Sequence, residues 1–291
     1  MRLDAYLAEQ YGDLSRSQLQ QYIKAGFVKV NGQKIDKPSF DITDNDIVKF
    51  DRPAEPDFSG EIGSFRKFVI YQDDNVIVIN KPIGLLVHSK GGINHEFTVE
   101  DYVRSQFNPS ELAANSGNNR LGIVHRLDRA TSGILICARN LATASILSRQ
   151  FAERKAHKTY LAVTSKTPYE LEAKIDLPIG RNLNQPSTFR VDGKGKAAVT
   201  NYRVIGSYPD GTSLVELKPV TGRTHQLRVH LAYLGCPIVG DNVYGNGKFG
   251  DRLMLHAWQL EISIPDGKGG RVRRTFIAEP PREFNYIEDN D

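Results

Sequence analysis

The sequence predicts an α+β protein made of two unequal parts. Three observations carry that expectation. The first fifty residues hold two short helical patterns followed by a hairpin signal. A polar stretch with two prolines and a glycine follows, at 51–60. Beyond it the chain alternates through many short apolar strands with few helices, which predicts a large mixed, mostly antiparallel sheet with flanking helices. The length of 291 residues fits one large domain plus a small one, at about 100–200 residues each.

The small unit reads element by element. Leu3, Tyr6 and Leu7 share one helical face. Ser15-Arg16-Ser17-Gln18 has the form of a capping box opening a second helix, whose apolar face is Leu19 and Ile23 and whose stop is Gly26. Phe27 to Val30 alternates as a strand, Asn31-Gly32 marks a type I′ turn, and Ile47 to Phe50 forms a last strand. Arg16, Gln20 and Lys24, four apart, share one helical face. Three residues alone make a solvated face as readily as a binding stripe.

In the larger unit, Asn75 to Ile79 is an apolar strand and Asn80 to Gly84 a turn. Thr98 caps a helix through Val103, and Asn115 to Asn119 reads as a loop. Strands are expected at Leu121–Val124 and Ile134–Ala138, then a helix capped by Asn140 running to about Glu153. Further strands are expected at Lys158–Thr164, Ala197–Ile205, Ser213–Lys218, Leu253–Glu261 and Arg271–Phe276, with a helix from Gln226 to Leu234.

Composition excludes more than it identifies. Forty per cent hydrophobic and 25 per cent charged residues are ordinary for a soluble globular chain. Two cysteines make no disulfide framework, and the start of the chain has no apolar leader, so a reducing, cytoplasmic setting is expected. No apolar run is long enough to span a bilayer. The net charge of +4 is unevenly placed: residues 1–67 hold ten basic and eleven acidic side chains, and the remainder 28 and 23. No HExxH or CxxC occurs, and Gly84, Gly91 and Gly92 make neither a P-loop nor a dinucleotide fingerprint. Neither a metal nor a cofactor is expected, and nothing calls for more than a monomer.

The segment His125-Arg126-Leu127-Asp128-Arg129-Ala130-Thr131-Ser132-Gly133 is chemically dense for a connector between two apolar strands. Functional groups concentrate on loops held by rigid elements. Taken alone, Asp128 reads as a turn or salt-bridge aspartate as easily as a reactive one.

The strings themselves shift that balance. The Arg2-Leu3-Asp4 start, the SRSQLQQYIKAG helix and the VKVNGQKI hairpin resemble the alpha-L RNA-binding domain, named for a ribosomal small-subunit protein. HRLDRATSG resembles the central motif of the RluA-type pseudouridine synthases. VINKPIGLLVH at 78–88, the Lys158-Thr159-Tyr160-Leu161-Ala162 segment, Thr221 to His230, Gly240-Asp241, Tyr244-Gly245 and Leu255-His256-Ala257 match further segments of that family in its order. The resemblance implies an RNA-binding domain at 1–50, a linker at 51–67 and a catalytic domain at 68–291.

By that resemblance the reaction isomerises uridine to pseudouridine in RNA, most readily large-subunit ribosomal RNA, with transfer RNA the other candidate. The family aspartate maps onto Asp128, which acts either as a nucleophile or as a base toward a ribose proton. Tyr160 corresponds to the tyrosine that packs on the uracil. Arg223 is assigned as the basic partner of the aspartate, with Arg228 the competing assignment. Arg126 fills the space vacated by the extruded base. Leu227 lines the pocket, and Lys81, Arg129, His225 and His230 are candidates for RNA contact or pocket support. In the small domain Arg16, Ser17, Gln20, Lys24 and Lys29 are the candidate RNA contacts. Two other functions stay open: a non-catalytic RNA-binding assembly factor of the same fold, and an enzyme acting on a small uracil-like metabolite.

Overall fold

The computed structural model describes residues 1–54, 56–89, 96–114, 121–245 and 252–284. The loop expected at Asn115–Asn119, and Gly91 and Gly92, lie outside the described residues. The chain divides into two compact units, 1–65 with 88–121 and 66–87 with 122–291.

The first unit begins with helices α1 (Leu3–Gln10) and α2 (Arg16–Lys24) and a three-stranded sheet of β1 (Val28–Val30), β2 (Gln33–Lys34) and β3 (Val48–Phe50), in the order β2-β1-β3. The capping box forms as read: Ser15 accepts from the Gln18 amide, and the Gln18 side chain accepts from the Ser15 amide. Val30 pairs with Gln33, and Asn31 and Gly32 between them have φ of 51° and 82°, as a type I′ turn requires. Leu3, Leu7, Leu19, Ile23, Val28, Val30 and Ile42 close a small core.

Helices α3 (Ser59–Phe65), α4 (Val99–Arg104) and α5 (Pro109–Ala114) complete this unit. Helix α3 lies within the segment read as a linker. Its polar, glycine-bearing sequence hides a reason to fold: Phe58 and Phe65 both meet Phe97, and the Phe65 ring packs tilted on Tyr102 with centroids 4.6 Å apart.

The second unit is built on strands β4 (Val69–Gln72), β5 (Val76–Lys81), β6 (Ser132–Ala138), β7 (His157–Thr164), β8 (Glu172–Asp176), β9 (Ile179–Arg181), β10 (Phe189–Val191), β11 (Val199–Ser207), β12 (Ser213–Pro219), β13 (Leu255–Pro265) and β14 (Arg271–Ile277), with helices α6 (Leu141–Ala152) and α7 (Gln226–Tyr233). Nine strands form one sheet in the order β4-β5-β6-β13-β7-β12-β11-β8, with β14 on β13. All its pairings are antiparallel except β6 with β13. Strand β6 is buried at every position, which is why it reads as a continuous apolar run. The strand expected at Leu121–Val124 is only a single bridge, Ile123 to Cys137, because the chain turns away after one pair. The short strands β8, β9 and β10 lie where polar sequence gives no periodic signal.

Gly133 fixes the start of β6. Its φ is 111°, and a side chain there would overlap the Ala257 carbonyl, against which it pairs in β13. The motif glycine is thus what lets the Asp128 loop enter the sheet. No helix among the described residues is long and apolar enough to cross a membrane.

Candidate active site

The 125–131 loop carries Asp128 between the end of the Ile123 bridge and β6. Three anchors hold it. His125 is half-buried, stacks on Phe151 at 4.4 Å, and accepts the Ile136 amide on Nε2 at 3.0 Å. Burial pushes its pKa down to about 3, so the ring is a neutral structural acceptor. The Thr131 amide donates to the Asp128 carbonyl at 3.0 Å, closing a turn. The third anchor is Lys81, at the end of β5 and fully buried.

Lys81 Nζ donates to the carbonyls of Pro82 (2.8 Å), Leu85 (3.0 Å) and Arg129 (3.3 Å). The Gly84 amide donates to the same Arg129 carbonyl at 2.9 Å. One ammonium therefore ties the 82–85 turn to the Asp128 loop. Burial pushes its pKa down to about 7, against the pull of Asp128. Of the two roles open to Lys81 from sequence, RNA contact is excluded by this burial; support of the loop is what the geometry leaves. Arg129 is held through its backbone, and its exposed side chain is not among those lining the cleft.

A cleft of about 450 Å³ opens above the loop. Arg126, Leu127, Asp128, Lys158, Tyr160, Arg223, His225, Leu227 and Arg228 all line it. The loop supplies the first three, β7 supplies Lys158 and Tyr160 on one strand face, and the segment into α7 supplies the rest. Asp128 is the single carboxylate in the lining. Its carboxylate accepts no hydrogen bond among the described residues; the His225 imidazole stands beside it, with Nε2 at 3.9 Å from Oδ2. Tyr160 is pushed well above the ordinary phenol range by burial and then by Asp128, so it keeps its proton at neutral pH.

His225 precedes α7 with φ of 55°, a left-handed conformation that costs a non-glycine residue of order 1–3 kcal/mol. The strain aims its ring. The Phe189 amide donates to the Tyr244 hydroxyl at 2.9 Å, and that hydroxyl lies 2.7 Å from His225 Nδ1. A hydroxyl accepting from Phe189 can turn its own proton to Nδ1, and the imidazole proton then lies on Nε2, on the Asp128 side. Burial lowers the His225 pKa, so the ring faces Asp128 as a neutral donor.

The two arginines of the α7 segment differ. Arg228 is clamped to Asp241 by two bonds of 2.7 Å, and lies 5.0 Å from the Tyr244 ring centroid. Asp128 also adds to the charge it feels. Arg223 instead donates Nε to the Ala197 carbonyl at 3.0 Å. Arg228 is thus held in the cleft wall by Asp241, whereas Arg223 stands on the cleft rim with its Nε engaged by backbone. His230 is buried, bonded to Thr200 Oγ1 and the Leu177 carbonyl at 3.0 Å each, a support for α7.

Sequence reading passed over Lys158. It is half-buried, lines the cleft, and makes no hydrogen bond or ion pair among the described residues. Burial lowers its pKa. The signal available was the period of two with Tyr160. The Lys158 ammonium lies beside Gly222, where an added methyl would sit 3.7 Å from Nζ, an ordinary contact.

In the small unit, Arg16 and Gln20 both bond the buried Asp4, at 2.9 and 2.6 Å, alongside Arg2 at 3.0 Å. Lys29 pairs with Asp51 at 3.0 Å, and Ser17 Oγ lies 3.1 Å from Ser15 Oγ. Lys24 is exposed on the α2 surface.

Among the described residues, the cleft brings one open carboxylate together with a phenol and an open ammonium, a set that fits chemistry on a base and its sugar. Comparison with known proteins makes this specific. Residues 75–233 match the RNA pseudouridylate synthase family and residues 1–48 the S4 domain. The chain belongs to the RNA pseudouridylate synthase family, as an isomerase of uridine carrying an S4 RNA-binding domain. It is 38% identical, over its full length and 89% of the relative, to ribosomal large subunit pseudouridine synthase D of Borreliella burgdorferi. It is 34% identical to ribosomal large subunit pseudouridine synthase C of Rickettsia bellii, over 90% of this chain and 89% of that one. Among solved structures, human RNA pseudouridylate synthase domain containing 4 aligns with a TM-score of 0.59 at 27% identity, over 78% of this chain and 94% of that chain.

Proposed function

We propose that this enzyme converts uridine to pseudouridine in large-subunit ribosomal RNA, the substrate named for several relatives. In the reaction the N1–C1′ bond breaks, the uracil turns, C5 bonds to C1′, and the C5 proton is lost while N1 gains one. The target uridine must leave its stack to reach Asp128. The observation that carries the reading is the state of that carboxylate: it lines the cleft with no hydrogen bond drawn from its neighbours. Attack as a nucleophile and abstraction of a ribose proton both need such an open oxygen.

Around it, Tyr160 offers its protonated ring as a platform for uracil. Arg228 and the His225 Nε2 proton balance and orient the carboxylate. Arg126 occupies the space that the extruded base leaves, and Leu227 closes the apolar side. Arg223 on the cleft rim, and Arg129 with the α2 residues Arg16, Ser17, Gln20 and Lys24 and with Lys29 outside it, meet RNA phosphates. The enzyme works as a cytoplasmic monomer with neither metal nor cofactor.

The test is Asp128→Asn, assayed by tritium release from C5-labelled uridine in ribosomal RNA. Release should fall at least about a thousandfold, while RNA affinity stays within about twofold. Retained release sinks the reading; absent release from wild type on every RNA, with RNA still bound, favours a non-catalytic assembly factor.

A further inference from the structure

A second groove lies behind the catalytic cleft, between the exposed face of α6 and the edge strand β14. Its volume is about 540 Å³. Arg149, Arg154, Lys155, Arg271 and Arg273 line it with His157, and Glu153 is the single acid in the lining. Gln150 builds the floor by exchanging hydrogen bonds with the Ser263 backbone, at 2.7 and 3.0 Å. These bonds tie α6 to β13, the strand on which β14 pairs.

Part of this charge is committed. Glu153 takes Arg149 and Lys155, each at 2.7 Å. Glu261 takes Arg273 at 2.8 Å, and Arg273 also donates to the Lys155 carbonyl. Arg154 and Arg271 are exposed and make no side-chain bond or ion pair among the described residues. Charged side chains on an edge strand also discourage strand addition, which accounts for β14 by itself. It does not account for Arg154.

Arg154 closes α6 in a Schellman turn. The Lys155 amide donates to the Gln150 carbonyl at 2.8 Å, and the Arg154 amide to Phe151 at 3.2 Å. The residue at this position has φ of 58°, where glycine is the unstrained choice. The chain places an arginine there instead. That one side chain lines both the second groove and the catalytic cleft. Strain held at a position shared by two clefts points to a use for the side chain.

We infer that the α6–β14 groove binds the phosphate backbone of the substrate RNA beyond the target uridine, with Arg154 carrying the track from the catalytic cleft into the groove. This rests on the RNA-modifying reading of the cleft. The groove's excess of cations and the Arg154 it shares with the cleft suit a phosphodiester chain, which needs charge and carries no base-edge code here.

The test measures affinity of the full-length enzyme for a uridine-bearing RNA stem–loop and for the same loop as a short single strand, across a salt series. Arg271→Ala and Arg154→Gly should each weaken stem–loop binding about three- to tenfold and lower the salt slope by about 1, while the short strand binds as before. Arg154→Gly relieves the left-handed strain, so its thermal midpoint should hold or rise, which separates lost binding from lost fold. Unchanged stem–loop affinity and slope in both variants overturns the inference, as does an equal loss for both RNAs. Wild-type affinity that ignores salt for every RNA would instead sink the RNA reading itself.

Discussion

Asp128 and Asp241 belong to the same unit, and both contribute to the charge felt by Arg228. Their surroundings are opposite. Asp241 is buried, grips Arg228 through both oxygens at 2.7 Å, and accepts the Val243 and Tyr244 amides at 2.9 and 3.0 Å. Asp128 is 22% exposed, accepts no hydrogen bond among the described residues, and has a neutral imidazole at 3.9 Å. Asp4, in the small unit, sides with Asp241: fully buried, it accepts from Arg2, Arg16 and Gln20. A carboxylate that holds structure has its lone pairs filled. One kept for chemistry has them open, and gives up the stability that filling would bring.

The contrast can be broken most decisively at Asp241. Asp241→Ala leaves Arg228 buried without its partner and should cost about 3–5 kcal/mol of catalytic-unit stability, read by chemical denaturation. A cost below about 1 kcal/mol would mean that the clamp is not structural. Asp4→Ala should cost less, about 2 kcal/mol, because Arg2 and Arg16 are half-exposed and can rehydrate. Hydrogen bonding holds the Asp4 carboxyl well below the usual range. Its contribution is therefore present above about pH 4 and lost as pH falls further, so the variant should flatten the acid limb of small-unit stability.

Lys158 sharpens the comparison from the cationic side, as the open ammonium of the cleft. Lys158→Met should lower kcat/KM about tenfold, the size of one charged contact to substrate. Burial lowers the Lys158 pKa, so wild-type kcat/KM should decline on the alkaline side earlier than an ordinary lysine allows. The variant should lose that limb. A limb that persists near pH 7 belongs instead to Lys81, whose pKa lies at about 7. The smallest effect is reserved for the reactive group: Asp128→Ala should shift stability by no more than about 0.5 kcal/mol. A loss as large as that of Asp241→Ala would erase the distinction.

Much of this was legible before folding. The capping boxes at Ser15 and Thr98, the Asn31-Gly32 turn and the Asn140 cap depend on residues three or four apart, and all form. Helix α3 was not legible, because its stability comes from Phe97 and Tyr102, more than thirty residues away. The site divides in the same way. The motif around Asp128 pointed to the cleft, but nothing local distinguishes Arg223 from Arg228. The choice depends on Asp241 in a separate turn, and on Ala197 taking the Arg223 Nε. Lys81 read as an RNA contact or a pocket support, and the convergence of two loops on its ammonium makes it a brace.

The sequence by itself determined the two-part plan, the elements with local caps and turns, and the loop that carries the reactive aspartate. It could do so because hydrophobic period, capping and turn chemistry act over a few residues. The tertiary structure decided which polar groups are used up. Whether a carboxylate or a cation is free for chemistry depends on partners brought from distant strands, and burial then sets its charge state.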